Sequence, residues 1–152
     1  MDMTGAQRIE ASREKVWAAL NDPEILKACI PGCQTIEKLS DSEMKASVTL
    51  KIGPVKASFA GKVTLSDLDP PKSYTISGEG AGGVAGFAKG GAKVRLEEDG
   101  PATILHYEVS AQVGGKIAQL GARLIDGTAK KLAGDFFSTF GKAVAPADSG
   151  TG

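Results

Sequence analysis

Gly114-Gly115-Lys116-Ile117-Ala118-Gln119-Leu120-Gly121-Ala122-Arg123-Leu124-Ile125, running on through Phe136-Phe137 to Phe140, is the stretch whose reading decides the fold. Ile117, Leu120, Leu124, Thr128 (through its methyl), Leu132, Phe136 and Phe140 recur at helical spacing, which predicts one long amphipathic helix. It follows a series of alternating strands, so it must lie across the sheet they form, because neither apolar face can be left wet. Gly121, Gly127 and Gly134 lie within this run, each costing about 1 kcal/mol against alanine in a helix interior. Leu120, Leu124, Gly127 and Gly134 share one predicted stripe, so part of the sheet-facing surface carries little side-chain volume. A sheet gripping a partly bare helix is a shape that can hold a cavity.

Upstream, Gln7 to Ala11 reads as a first strand, and Ser12 caps a helix over Arg13 to Asn21 with Val16, Trp17 and Leu20 on its buried side. Asp22-Pro23 restarts a second short helix, which Pro31-Gly32 ends. From Gln34 the period is two. Met44, Ala46, Val48, Leu50 and Ile52 alternate with polar residues, and after Gly53-Pro54 so do Val55, Ala57, Phe59, Gly61, Val63 and Leu65. Asp69-Pro70-Pro71 breaks the chain before a strand over Tyr74 to Ser77, and Gly78 to Gly91 reads as a flexible glycine-rich loop. Ala92, Val94 and Leu96 open another strand. Asp99-Gly100-Pro101 then turns into a last one, with Leu105, Tyr107, Val109 and Ala111 facing in. One dry face and one wet face mark an antiparallel sheet covered on one side. The expected fold is therefore α+β, with seven antiparallel strands in the order β-α-α-β6-α gripping a long C-terminal helix. Residues 1–144 form one domain, and 145–152, rich in Pro, Gly and Ser, read as a disordered tail.

Composition narrows the function. Among 152 residues, Lys+Arg and Asp+Glu balance at 18 each, which gives no global field for nucleic acid. The N-terminus lacks the pattern of a signal peptide, and no apolar run reaches the roughly 18 residues of a membrane span, so a cytoplasmic protein is expected.

This order and its motifs resemble the carbon monoxide dehydrogenase G-subunit family, within the START-like helix-grip (SRPBCC) superfamily. The resemblance covers nearly the whole chain. It is carried by Cys29-Ile30-Pro31-Gly32-Cys33, Ile52-Gly53-Pro54-Val55 with Phe59-Ala60-Gly61, Gly78-Glu79-Gly80, the Gly115 to Ile125 run and Phe136-Phe137. Where some members look to carry a further tail or membrane-anchoring segment, this chain ends in its Pro/Gly/Ser tail. The resemblance implies an accessory protein, not an enzyme, that partners a molybdenum-containing carbon monoxide dehydrogenase or related molybdenum hydroxylase. It further implies a quinone in the cavity and peripheral contact with the inner face of the membrane.

The chemistry-bearing motifs fit that picture by default. Gly78-Glu79-Gly80-Ala81-Gly82-Gly83 matches GxGxxG, but no helix opens after it to receive a pyrophosphate. A lid over the cavity, with Phe87 as an apolar plug, is the functional alternative to a plain loop. Cys29 and Cys33 are spaced C-x3-C with the only histidine, His106, far off, so no zinc site is expected and reduced structural thiols are. Tyr107 points inward and needs a partner for its hydroxyl. The ligand-lining residues expected are Cys29, Ile30, Pro31, Ala57, Phe59, Phe87, Ala92, Leu105, Tyr107, Leu120, Leu124, Gly127 and Phe136. An assembly factor without ligand, using Lys116, Arg123, Lys130 and Lys131, and a START-like cyclase or hydrolase stay open beside the binding reading.

Overall fold

A computed structural model describes residues 2–145. Strand β1 (Asp2–Ile9) leads into helices α1 (Arg13–Leu20) and α2 (Pro23–Cys29). Six strands follow: β2 (Cys33–Ser40), β3 (Glu43–Ile52), β4 (Val55–Asp69), β5 (Ser73–Ala81), β6 (Phe87–Asp99) and β7 (Ala102–Gly114). A short 3-10 helix over Lys116–Leu120 precedes the long helix α3 (Ala122–Val144). The strands form one seven-stranded antiparallel sheet in the order β1-β7-β6-β5-β4-β3-β2. The expected α+β helix-grip class is what folds. Of the tail expected over 145–152, residues 146–152 lie outside the described residues.

The helix starts obey their caps. The Ser12 hydroxyl accepts from the Lys15 amide at 3.2 Å, and the Asp22 carboxylate accepts from the Glu24 amide at 2.9 Å with Pro23 in the first turn. Val16 and Leu20 are buried against the sheet, and Trp17 meets Tyr74 edge to face at 5.1 Å.

Three expectations need correction. The first strand runs over Asp2–Ile9, not Gln7 to Ala11: Asp2, Gly5 and Ala6 carry little β-propensity, and pairing with β7 orders the segment (Gly5 opposite Tyr107).

Second, most of Gly78 to Gly91 is not a loop. Gly78, Glu79, Gly80 and Ala81 pair with Gly90, Lys89, Ala88 and Phe87, so only the tip around Gly83–Ala85 turns. The glycines relieve crowding between bent strands. A β-carbon at Gly61 would strike the Glu79 carbonyl of the neighbouring strand, and one at Gly90 would strike that of Ser110. Glycine here bends the sheet around the helix.

Third, the long helix begins five residues later than its hydrophobic spacing suggests, at Ala122. Gly121, at φ 96°, separates the 3-10 helix from α3 and breaks the phase between Ile117 or Leu120 and the helix beyond. The buried and half-buried side of α3 is Ile125, Thr128, Ala129, Leu132, Ala133, Phe136, Phe137, Phe140 and Val144. Leu124, Gly127 and Gly134 lie on the exposed side.

Packing divides the interior in two. The main cluster joins α1, α2 and the end of α3 (Val16, Leu20, Leu26, Phe140, Val144) to Ile9, Leu65, Val94, Leu96 and Leu105. A second, smaller cluster joins Ile52, Ala57, Ala85 and Ile117, with Leu50, Val55, Phe59, Val113 and Leu120 against it.

Candidate functional site

The space between those clusters is where the residues gather that have no tight packing. Cross-strand register places Ala46, Gly61, Gly80 and Ala88 in one inward row, and Gly78, Gly90 and Ala111 in the next. Ile76, Ala92 and Val109 make a third. Above them runs the inner side of α3, itself small over Thr128, Ala129 and Ala133. The helix makes close approaches to β1 and to β3, on opposite sides of the sheet, and so bridges the concavity. Val48, Ala92, Val109, Ile125 and Leu132 belong to neither cluster and are only half-buried although apolar and inward. Small side chains on both walls give the helix and the middle of the sheet few atoms to interdigitate, which is the condition for an apolar space between them.

Its electrostatics are equally plain. Across Met44–Ile52, Val55–Leu65, Tyr74–Gly80, Ala88–Leu96 and Thr103–Val113, the inward positions carry no charged side chain. Their hydroxyls are those of Tyr74, Thr103 and Tyr107. Thr103 donates to the Ala11 carbonyl at 2.8 Å. Tyr74 sits against Trp17, and burial pushes its phenol well above the ordinary value. Tyr107 is half-buried, stacks on Phe137 at 5.3 Å, and lies with its hydroxyl over Gly5, where a β-carbon would displace it. Phe136 meets Phe137 edge to face at 5.1 Å and stacks on Phe140 at 5.3 Å, closing the end of the space next to the main core. Among the described residues, no group of three or more His, Cys, Asp or Glu side chains is placed to hold a metal ion.

The residues expected at the site fall into several groups. Ala92, Tyr107 and Phe136 face the space, and Phe59 borders it from the second cluster with its ring against Gly82. Ala57 and Leu120 belong to that second cluster. Leu105 and Cys29 are buried inside the main core, with Ile30 packed on it and Pro31 half-buried at the end of α2. Burial raises the thiol pKa of both Cys29 and Cys33, which disfavours thiolate at neutral pH.

Phe87, Leu124 and Gly127 are turned away from the space. Phe87 occupies an outward strand position, 46 % exposed, with its ring over Gly114, so it plugs nothing. Leu124 is 37 % exposed, and a β-carbon at Gly127 would meet no atom within 4 Å. Their orientation follows from the phase break at Gly121 and from the pairing that makes Phe87 a strand residue.

Gly78, Gly80, Ala88 and Gly90, with Ile125, Ala129 and Ala133, escaped the sequence reading, which named Ala46, Gly61, Ala111 and Leu132 as inward but not as lining. Their signal was present: Ser77, Glu79, Lys89 and Lys93 keep the outward polar phase straight through the glycine-rich stretch. A trough of about 830 Å³ also crosses the outer face between Thr35, Lys45, Ala60, Lys62, Ala81 and Phe87. It lies open to solvent along the outer face, so it offers an apolar ligand little burial.

Comparison with known proteins agrees with this fold. The model of the family described as carbon monoxide dehydrogenase G-subunit (CoxG) matches residues 5–145. A conserved protein from Geobacillus kaustophilus is 34 % identical and superposes with a TM-score of 0.88, covering 95 % of both chains. A START superfamily protein from Mycobacterium smegmatis shares the fold at 14 % identity and a TM-score of 0.71, covering 94 % of this chain and 96 % of that one. So does the Zhui aromatase/cyclase from Streptomyces sp. R1128, at 9 % identity, a TM-score of 0.65 and coverage of 95 % and 93 %. No curated protein matches the chain by sequence.

Proposed function

Because this chain belongs to the CoxG family of carbon monoxide dehydrogenase, we propose that it is a non-catalytic accessory protein of a molybdenum-containing carbon monoxide dehydrogenase or related molybdenum hydroxylase. In this reading it carries a quinone in the apolar space under α3 and helps bring its partner to the membrane. The observation that carries the ligand is the charge-free interior, split between two clusters and floored by glycine and alanine. An isoprenoid chain suits such walls, since burial stabilises it by about 25 cal/mol per Å² and it demands no hydrogen bonds. A quinone head needs one donor, and the Tyr107 hydroxyl beside Phe137 can supply it.

The same interior argues against acid–base catalysis, which requires a titratable pair within reach of a substrate. The inward positions of β3 to β7 offer only tyrosine phenols and one satisfied threonine. The test is calorimetric titration with decylubiquinone. Saturable one-to-one binding is expected, weakened roughly tenfold in Tyr107→Phe by loss of one hydrogen bond. Absence of saturable binding to the folded protein would overturn the quinone reading.

A further inference from the structure

The chain carries no net charge, yet the fold sorts its charges to opposite poles. Antiparallel connections alternate ends, so the β2–β3, β4–β5 and β6–β7 turns share one pole. That pole gathers Asp41, Asp67, Asp69, Glu98 and Asp99, with Arg8 bridged to Asp99 and Glu10, and Arg13 to Glu98. The other pole holds the β3–β4 turn, the β5–β6 tip, the 3-10 helix and the start of α3, all converging on the second apolar cluster. Residues 44–66, 80–96 and 109–125, which build it, contain no Asp or Glu. At this pole Lys51, Lys56, Lys116 and Arg123 have no carboxylate partner among the described residues.

Two further features mark this pole. Lys51 and Lys56 are direct cross-strand partners, a like-charge pairing that disfavours the hairpin unless an external anion relieves it. Large apolar side chains also stand out here: Val84 at the β5–β6 tip is 92 % exposed, and Leu124 is exposed near Gly53. Leu120, Arg123, Leu124, Thr128 and Lys131 line a groove of about 490 Å³ along the start of α3.

We propose that this basic, apolar-tipped pole is a docking surface for an anionic lipid bilayer, with Val84 and Leu124 entering the headgroup region and the four cations on lipid phosphates. Protruding apolar tips ringed by unpaired cations are what an interface between anionic headgroups and acyl chains selects. The acidic pole is repelled from the same surface, so the charge separation sets the orientation. The inference deepens the carrier reading and rests on it for its purpose, since a quinone carrier must meet the bilayer that holds its ligand.

Co-sedimentation of the full chain with vesicles tests it, without quinone present. Vesicles of equal parts phosphatidylglycerol and phosphatidylcholine should bind the protein, phosphatidylcholine alone should not, and high salt should abolish binding. Lys51→Gln/Lys56→Gln should weaken partitioning about thirtyfold, from about 1 kcal/mol per cation, and Val84→Ser should weaken it further. Lys72→Gln, at the acidic pole, should leave it unchanged. Equal binding to neutral vesicles, or an equal loss in Lys72→Gln, overturns the proposal. So does a protein that ignores vesicles but loses co-purification with its enzyme partner in the Lys51/Lys56 variant, which makes the pole a protein interface. Decylubiquinone titration of the same variants stays normal if only docking fails, and fails in the parent if the carrier reading is wrong.

Discussion

Replacing Gly80 with valine adds an isopropyl group to the floor of the proposed ligand space. Gly80 sits opposite Gly61 on β4 and Ala88 on β6, and a β-carbon there meets its nearest atoms, in Phe59 and Ala60, at 3.7 Å, an ordinary contact. Its backbone lies outside the left-handed region. Restricting the unfolded chain therefore contributes about 0.4–1 kcal/mol, and valine suits a strand. Contacts of the new methyls with the half-empty space add to this, so the melting temperature should rise by about 2–4 °C per kcal/mol gained. Decylubiquinone affinity should fall about thirtyfold, because two or three ligand methylenes, each about 0.8 kcal/mol, lose their place. Gly61→Ala is the counterpart across the strand pair. Its methyl would collide with the Glu79 carbonyl and the Gly80 backbone, so it should destabilise by about 1–3 kcal/mol. Differential scanning fluorimetry with titration reads both. A Gly80→Val protein that melts several degrees lower while keeping its quinone affinity would refute the open floor.

Other substitutions probe the frame. Gly127→Ala and Gly134→Ala lie on the exposed side of α3 with nothing within 4 Å, so each should stabilise by about 1 kcal/mol in thermal melts without changing ligand affinity. Phe140→Ala removes a fully buried ring from the main cluster and should cost about 3–5 kcal/mol in urea titration. Burial holds the Tyr74 phenol above its unfolded value of about 10, so its contribution is complete below that pH. It declines as pH rises further, because the unfolded chain ionises while the folded one does not. Denaturation profiles of Tyr74→Phe should lack that alkaline decline.

Much of this architecture was legible because local signals and tertiary demands coincide. Ser12 and Asp22-Pro23 announced their helices, and alternation from Met44 to Leu65 named the inward face residue by residue. The sequence reading failed where one residue type serves two purposes. Glycines from Gly78 to Gly91 punctuate loops in most chains, but here they let bent strands approach, and only pairing distinguishes the cases. Periodicity across Gly121 joined two helices of different pitch, which rotated the expected inner stripe onto Leu124 and Gly127 and away from Ile125 and Ala129. Phe87 was misplaced for a related reason, since a loop residue has no assigned face and a strand residue does. Tyr107, Phe59, Ala92 and Phe136, read from segments with clean periodicity, face or border the space.

The central claim is that the interior under α3 carries an isoprenoid quinone. Mass spectrometry of organic extracts from protein purified out of its native host tests it most directly. The account predicts a quinone near one equivalent per chain, depleted in Gly80→Val purified the same way. Extracts free of quinone at protein amounts where one equivalent is measurable would contradict it.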